Sequence, residues 1–254
     1  MTVTTSDTLV TAQEDFNQVS KPYRTYVLTI LTLVYAFNFI DRQIIGILSP
    51  FIKADLGLND AQLGWLKGIY FAVLYTFVGI PIAWLADRYS RVNIVAISLT
   101  LWSGFTALSG MATTYTQLAL ARVGVGIGEA GGSPPSHSIL SDLYPKEQRA
   151  GALAIYSLGI PFGIMLAFFA SAFILKGGDA NWRLVLLSVG LPGVLLAILL
   201  KLTVKEPKRG GNLDTAAAKT PSWQSIKLLL TIPSWWGMCI AISLASFGSY
   251  AIST

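Results

Sequence analysis

Residues that build catalytic and metal sites are scarce in this sequence. Its 254 residues include one cysteine, Cys239, and one histidine, His137. These numbers exclude an intrachain disulfide and a zinc site made of several cysteines and histidines. No G-x-S-x-G segment is present, so the sequence also lacks the nucleophile motif of one large class of hydrolases. We therefore predict that the protein is not an enzyme and that it uses no metal and no cofactor.

Charged residues are also few. They make up 12% of the sequence, against about 25% in an ordinary soluble domain. Hydrophobic residues make up 53%, and the mean hydropathy is +0.59. No soluble core needs so much apolar sequence, so the composition predicts a membrane protein. The net charge of +5 does not indicate nucleic-acid binding, because the basic residues are not clustered on one soluble face.

Seven segments are apolar enough to cross a bilayer, which takes roughly 20 residues. They lie at residues 26–49, 63–85, 92–111, 117–140, 150–175, 184–204 and 235–253. The polar N-terminus lacks a signal-peptide pattern, so we expect it to stay in the cytoplasm. With that orientation 12 lysines and arginines lie on the inner side and four on the outer side, as the positive-inside rule requires.

These segments divide the chain into four predicted parts. We expect a cytoplasmic tail at 1–24, a six-helix domain at 25–204, a cytoplasmic linker at 205–234 and a seventh span at 235–254. The linker starts charged and turns amphipathic around residues 223–230. This pattern predicts a helix that lies on the membrane surface.

The segment ARVGVGIGEAGGSPPSHS, residues 121–138, contains a G-x-G-x-x-G match. A nucleotide-binding turn needs a strand before these glycines, whereas here they lie inside the fourth span. Gly124, Gly128 and Gly132 instead line one side of a helix, where small residues let membrane helices approach closely. We expect helix kinks at Gly128 and at Pro134 and Pro135, because a proline removes a backbone donor and clashes with the preceding turn.

Charged residues also lie deep inside two spans. Arg122, Glu129, Ser133 and Ser136 share a helical face in the fourth span. The first span carries Asp41 and Arg42, with Asn38 one turn earlier. Four such charges facing lipid would cost roughly 10–14 kcal/mol, so they must face one another or water. The alternatives are a static ion-pair network between helices one and four, or a pathway for substrate and ions.

We favour the pathway, because a buried ion pair is a weak stabiliser but a useful switch. If a conformational change moves Arg42 or Arg122 relative to Asp41 or Glu129, protonation and conformation become linked. His137 is a rival proton carrier, although a lone histidine is more often a packing residue. Helices one and four each open a group of three spans. This layout indicates a 3+3 inverted repeat, as in secondary transporters.

Three cytoplasmic or helical motifs support a family assignment. AWLADRYSRVN from Ala83, LARVGVGIG around Arg122 and SDLYPKEQRAGALA from Ser141 resemble motifs of the major facilitator superfamily. The resemblance implies a six-helix N-terminal half of that all-α fold plus one further transmembrane helix. It also implies a cytoplasmic gate formed by Asp87, Arg88, Arg91, Asp142, Glu147 and Arg149. The segment SLGIPFG loosely resembles the Gly–Pro motif of antiporters, which implies a kink at Pro161.

The N-F-I-D-R segment at Asn38 and the G-E-A-G-G-S-P-P segment at Gly128 are similar to the spinster subfamily of lipid transporters. That resemblance implies proton-coupled transport of lysophospholipids or sphingolipid-like molecules by alternating access. Asp41 and Glu129 would be the protonation sites. The substrate or coupling residues would be Asn38, Arg42, Arg122 and Ser133. Organic anion–proton symporters share N-x-x-D-R in helix one, so an organic anion or small solute is the alternative substrate.

A facilitator has two six-helix halves, and this chain has one half, the linker and a seventh span. We expect a truncated transporter of the cell (inner) membrane, whose partner is the C-terminal half of the same protein. Protons, membrane lipids and an amphipathic substrate are the other expected partners, and nucleic acid is not one. A second alternative is a structural membrane fragment that transports nothing.

Overall fold

The described residues of the computed structural model, 19–176, 181–209 and 227–253, form helices joined by short turns, without strands. The predicted tail lies almost wholly outside these residues, as does most of the predicted linker. Contacts divide the chain into two units, residues 1–210 and 211–254. The first unit holds the six predicted spans of the N-terminal half, and the second holds the seventh.

Ten α-helices account for most of the described chain. They are α1 Lys21–Leu56, α2 Asp60–Gly64, α3 Tyr70–Arg88, α4 Arg91–Ser109, α5 Tyr115–Glu129, α6 Ser133–Leu143, α7 Lys146–Ser157, α8 Gly159–Leu175, α9 Trp182–Thr203 and α10 Pro233–Ser253. A π-helical turn, Trp65–Ile69, joins α2 to α3. Each predicted span falls on one or two of these helices, and the predicted all-α class is confirmed.

Four helical stretches are long and apolar enough, by length and composition, to cross a membrane. They are Lys21–Leu56, Arg91–Ser109, Lys146–Leu175 and Trp182–Thr203. Helix α1 extends beyond its predicted span at both ends. It starts with Pro22 in its first turn, where a missing N–H costs nothing. It ends at Gly57, whose φ of 62° is the left-handed conformation that terminates many helices.

The fourth predicted span is interrupted rather than continuous. Helix α5 ends at Glu129 and α6 begins at Ser133, so the break precedes Pro134 and Pro135, which lie in the first turn of α6. A proline cannot donate to the carbonyl four residues earlier, which ends the α5 ladder ahead of the prolines. The fifth span likewise divides at Leu158, and Pro161 lies in the first turn of α8.

Glycines permit close packing of α4 on α5. A Cβ atom on Gly128 would lie 2.6 Å from the backbone nitrogen of Trp102, and one on Gly124 would lie 2.5 Å from the Phe105 ring. The expectation that these glycines allow close helix approach is therefore confirmed. Helix α4 also packs along α9, and α1 packs along α8.

The outward faces of the bundle are strongly apolar. Phe77 of α3, Phe173 of α8 and Leu202 of α9 are 71%, 84% and 79% exposed. Soluble monomers rarely expose contiguous apolar surface on this scale. A lipid bilayer is the solvent that such surfaces require, because there the acyl chains cover them.

Candidate functional site

A buried carboxylate joins α1 to α5 at the level of their deep charges. Glu129, at the end of α5, has no solvent exposure. Its Oε2 accepts a hydrogen bond from Asn38 Nδ2 at 2.8 Å and an ion-paired hydrogen bond from Arg42 Nε at 2.9 Å. Asn38 and Arg42 are four residues apart, so both project from one face of α1. The structure therefore brings together three of the predicted site residues.

Asp41 projects from α1 towards α4 instead. Its side chain is 1% exposed, and its Oδ1 accepts a hydrogen bond of 2.6 Å from the Thr106 hydroxyl. Thr106 was not among the predicted site residues. Its only sequence signal was a hydroxyl inside an apolar span, and several other serines and threonines share that signal.

Arg122 lies in α5 two turns before Glu129 and is almost fully buried. Glu129 and Asp41 attract its guanidinium, and Arg42 repels it. Its Nε and Nη1 make no hydrogen bond with any described residue, and neither do Asp41 Oδ2 and Glu129 Oε1. Asn38, Asp41, Arg42, Arg122 and Glu129 are called the mid-span cluster below. It holds two acids and two arginines, and Asp41, Arg122 and Glu129 use only part of their hydrogen-bonding capacity among the described residues.

Arg42 is the member of the mid-span cluster that reaches the surface, with 20% of its side chain exposed. Its guanidinium lies 5.3 Å from the Phe39 ring centre and 4.9 Å from the Tyr75 ring centre. Tyr35 contacts Phe39 edge-on and stacks on Tyr156 at 4.4 Å. These rings form an aromatic wall beside the one charged group that opens outwards.

Ser133 and His137 lie near this wall but not in the mid-span cluster. Ser133 is beside the Tyr156 hydroxyl. The His137 ring packs edge-on against the Tyr156 ring at 5.1 Å. Within the described part of the chain, neither side chain makes a hydrogen bond to Glu129. The packing role of His137 is the one that this geometry favours.

A second polar network lies where α3, α6 and α9 end. Arg91 is 2% exposed and pairs with Asp142, with Glu206 at 2.7 Å and with Ser138 at 2.8 Å. Glu206 also accepts hydrogen bonds from Ser90 Oγ at 2.8 Å and Val92 N at 2.9 Å. Ser90, Arg91, Ser138, Asp142 and Glu206 are called the motif-end network. Partial burial acts to raise the pKa of Glu206, but these hydrogen bonds outweigh it and hold the pKa below its usual range.

The other predicted gate residues lie around this network without joining it. Arg88 stacks on Trp84 at 3.9 Å, and Arg149 Nε donates to the Tyr144 carbonyl at 3.0 Å. Among the hydrogen bonds and ion pairs of the described residues, none connects Asp87 or Glu147 to Arg91. Glu206 was missed, because it lies in the charged stretch after the sixth span that the sequence assigned to the linker.

The profile of the Major Facilitator Superfamily matches residues 31–254. An MFS-type efflux pump of Mycolicibacterium smegmatis is 33% identical over 230 residues, which cover 89% of this chain and 52% of that protein. Protein spinster homolog 1 of Xenopus tropicalis is 32% identical over 222 residues, 84% of this chain and 41% of the relative. A probable galactarate/D-glucarate transporter of Bacillus subtilis is 29% identical over 76% of this chain and 43% of its own length.

The crystal structure of a bacterial homologue of the human lysosomal transporter spinster, inward-facing and unoccupied, has a TM-score of 0.71 and 39% identity. The match covers 86% of this chain and 51% of that one. The chain thus spans about half the length of the relatives it matches, and the predicted spinster resemblance is confirmed. Its apolar helices make it an integral membrane protein, and its relatives are transporters rather than enzymes. The chain belongs to the major facilitator superfamily.

Proposed function

We propose that this chain is the N-terminal half of a proton-coupled secondary transporter that moves amphipathic lipids of the lysophospholipid or sphingolipid type by alternating access. The observation that carries the proposal is the ion pair of Arg42 with the fully buried Glu129, which connects α1 to α5. A charged pair at this depth is costly, and such groups in membrane spans typically mark ion and substrate pathways.

Proton coupling follows from competition for Arg42. An ionised Glu129 holds Arg42 Nε and Asn38 Nδ2, and a neutral Glu129 loses the ion pair. Arg42 can then pair with the phosphate of a lipid headgroup, which arginine binds well. Proton binding and headgroup binding thereby become linked, and linkage of this kind is reciprocal. Asp41, beside Thr106 and Arg122, is the second protonation site.

The surroundings of Arg42 suit an amphipathic substrate. Phe39, Tyr75 and Tyr35 form an apolar wall next to the guanidinium. Such a wall can hold an acyl chain while the arginine holds the headgroup. Arg122 adds a second guanidinium deeper in the bundle, and Ser133 lies beside the wall.

The proposal also includes a cytoplasmic N-terminus and a gate on the cytoplasmic side of the membrane. We place the N-terminus and the motif-end network in the cytoplasm of a cell (inner) membrane, as the distribution of lysines and arginines favours. Arg91, Asp142 and Glu206 then hold the cytoplasmic ends of α4, α6 and α9 together. The gate against the C-terminal half includes the neighbouring Asp87, Arg88, Glu147 and Arg149.

Two other functions are the alternatives. Similarity to a galactarate/D-glucarate transporter and to an efflux pump favours a small organic anion or a drug-like solute, and a carboxylate would also pair with Arg42. A purely structural role would make the mid-span cluster a static connection between α1 and α5. The incomplete hydrogen bonding of Arg122 and Glu129 argues against a cluster selected for stability alone.

Transport in proteoliposomes tests the proposal. The chain together with the C-terminal half of its transporter is reconstituted with labelled lysophospholipid and an imposed proton gradient. We expect gradient-driven lipid movement that Asp41→Asn and Glu129→Gln each abolish while the protein stays folded. Asp60→Asn, which neutralises an exposed carboxylate paired with Lys53, is the matched control and should leave transport unchanged.

The other outcomes separate the alternatives. Gradient-driven uptake of galactarate without lipid movement would replace the lipid by an organic anion. If transport is insensitive to both substitutions, Asp41 and Glu129 are not the proton-binding sites. If both variants unfold and neither substrate moves, the cluster is structural.

A further inference from the structure

An open groove runs between α4 and α9 on the outside of the bundle. Its volume is about 410 Å³, within the range of roughly 300–1,000 Å³ that is typical of ligand sites. Its lining residues are Asn93, Ala96, Ile97 and Thr100 from α4 and Ala197, Ile198, Lys201 and Leu202 from α9. Both helices are long and apolar enough to cross the membrane.

The groove lies on the side of α4 that faces away from the mid-span cluster. Trp102 and Thr106 are buried, and Thr106 contacts Asp41. Ile97 and Thr100 are exposed and border the groove. Thr100 and Trp102 are two positions apart, which is about 200° around an α-helix. A molecule in the groove is therefore separated from the proposed transport site by the body of α4.

Charge is confined to one end of the groove. Lys201, near the end of α9, donates a hydrogen bond to Asn93 Oδ1, near the start of α4. This contact places the ammonium group at the mouth of the groove. An ammonium carries three N–H donors, so Asn93 leaves two of them for another acceptor. Lys205 follows one turn later and is also exposed, which adds positive charge at the same end.

The remaining wall is made of hydrocarbon. Exposed Ile97, Ile198 and Leu202 form its rim, and buried Ala96 and Ala197 form its floor. From Asn93 to Thr100 the groove follows α4 for roughly 10 Å, so an acyl chain can lie along it. Basic pockets between membrane helices bind the headgroups of anionic lipids. A lysine at one end and an apolar groove beyond it fit a molecule with an anionic headgroup and an acyl chain.

We propose that this groove binds one anionic phospholipid of the surrounding bilayer. Its phosphate lies on Lys201 and one acyl chain lies between α4 and α9. The lipid is a bound cofactor-like component of the folded protein and not the transported substrate. The proposal depends on the groove and its lysine, and it stands whether or not the protein moves lipids.

Native mass spectrometry of the full chain in detergent tests the site, with phosphatidylglycerol and phosphatidylcholine of equal acyl composition as probes. We expect one phosphatidylglycerol to remain bound in preference to phosphatidylcholine. Lys201→Gln should lower the bound phosphatidylglycerol about fivefold, because one lysine near a phosphate contributes about 1 kcal/mol. Lys176→Gln, an exposed lysine at the opposite end of the bundle, is the matched control and should leave binding unchanged.

A second pair of variants tests the acyl-chain part of the groove. Thr100→Phe fills the groove and keeps Lys201, so it should displace both lipids. Thr100→Val keeps the volume and should not. Equal binding of the two lipids, or binding unaffected by Lys201→Gln and Thr100→Phe, would overturn the proposal. Displacement of phosphatidylglycerol by excess lysophospholipid in a manner abolished by Glu129→Gln would also overturn it, because the lipid would then occupy the transport site.

Discussion

The mid-span cluster and the motif-end network are built around similar ion pairs but differ in how fully their polar atoms are used. Arg91 is nearly buried and donates to two carboxylates, a hydroxyl and a backbone carbonyl. Arg122 is equally buried, yet two of its nitrogens make no hydrogen bond with the described residues. Every guanidinium nitrogen of Arg91 makes a hydrogen bond, whereas Arg122 interacts with the charges of Asp41 and Glu129 at longer range.

This difference distinguishes a network that stabilises the fold from a cluster that can change its arrangement. A fully paired buried arginine is costly to disturb, because every broken bond leaves a polar group without water. A partly paired cluster has several arrangements of similar energy, and a proton or a ligand can select among them. Under the proposed function, the motif-end network maintains the shape of this half, while the mid-span cluster responds to protons and substrate.

Arg91→Ala should have the largest effect on stability. It leaves Asp142 and Glu206 facing each other without their cation, and removal of one partner from a buried pair costs about 3–5 kcal/mol. The free energy of unfolding in mixed micelles measures this. Arg88→Ala, which removes a surface contact with Trp84, is the control and should cost less than about 1 kcal/mol. Equal losses in the two variants would show that the motif-end network does not hold the fold.

Thr106→Val should have an intermediate effect. It keeps the shape of the side chain but removes the hydroxyl that donates to Asp41, and a buried acceptor that loses its partner costs about 1–3 kcal/mol. The same unfolding measurement applies, with Thr106→Ser expected to recover most of the loss. Thr100→Val is matched to it, because the Thr100 hydroxyl bonds the Ala96 carbonyl of its own helix. An equal loss of unfolding free energy in Thr100→Val would show that the contact with Asp41 has no special effect on stability.

Glu206→Gln should cost about 1 kcal/mol at neutral pH, since this carboxylate is partly exposed. The loss should depend on pH. Hydrogen bonds hold the folded-state pKa of Glu206 below its usual range despite partial burial, so its stabilisation is complete above about pH 4.3. It is lost as the pH falls through the lowered pKa. Unfolding curves of wild type and variant should therefore differ at pH 7 and converge in acid. A constant difference across this range would show that the charge of Glu206 is not what stabilises the network.

His137→Gln should have the smallest effect. The ring is exposed and contacts Tyr156 edge-on, so its loss should change stability by less than about 1 kcal/mol. Gradient-driven transport should persist in this variant and be absent in Glu129→Gln. Loss of coupling in His137→Gln would make the histidine a proton carrier and weaken the assignment to the carboxylates.

The all-α class and the meeting of deep charges from α1 and α5 could be predicted because both follow from the cost of polar groups in lipid. That cost requires an apolar run for each span and a partner for Arg42 and Glu129. The partner of Asp41 could not be predicted, because most hydroxyls in membrane helices bond their own backbone, as Thr100 does. Glu206 was missed for another reason: its contact with Arg91 spans 115 positions, and no local pattern marks it.

The break in the fourth span could not be located from the pattern of apolar residues. Pro134 and Pro135 indicated a disturbed helix, but the break precedes them because the lost donors affect carbonyls one turn earlier. The roles assigned to Asp87 and Glu147 stay predictions, since they concern contacts with the expected C-terminal half.

The π-helical turn Trp65–Ile69 should allow the second span to lose one residue without a change in the register of the following helix. A π turn is an α-helical turn with one inserted residue. Deletion of one residue within 65–69 can therefore be absorbed by a return to the α form, and the faces of α2 and α3 keep their directions. The same deletion in α4 would rotate every later residue by about 100° and turn Thr106 away from Asp41. This stretch is thus the place where the chain length of a span can change while Tyr75 still faces Arg42.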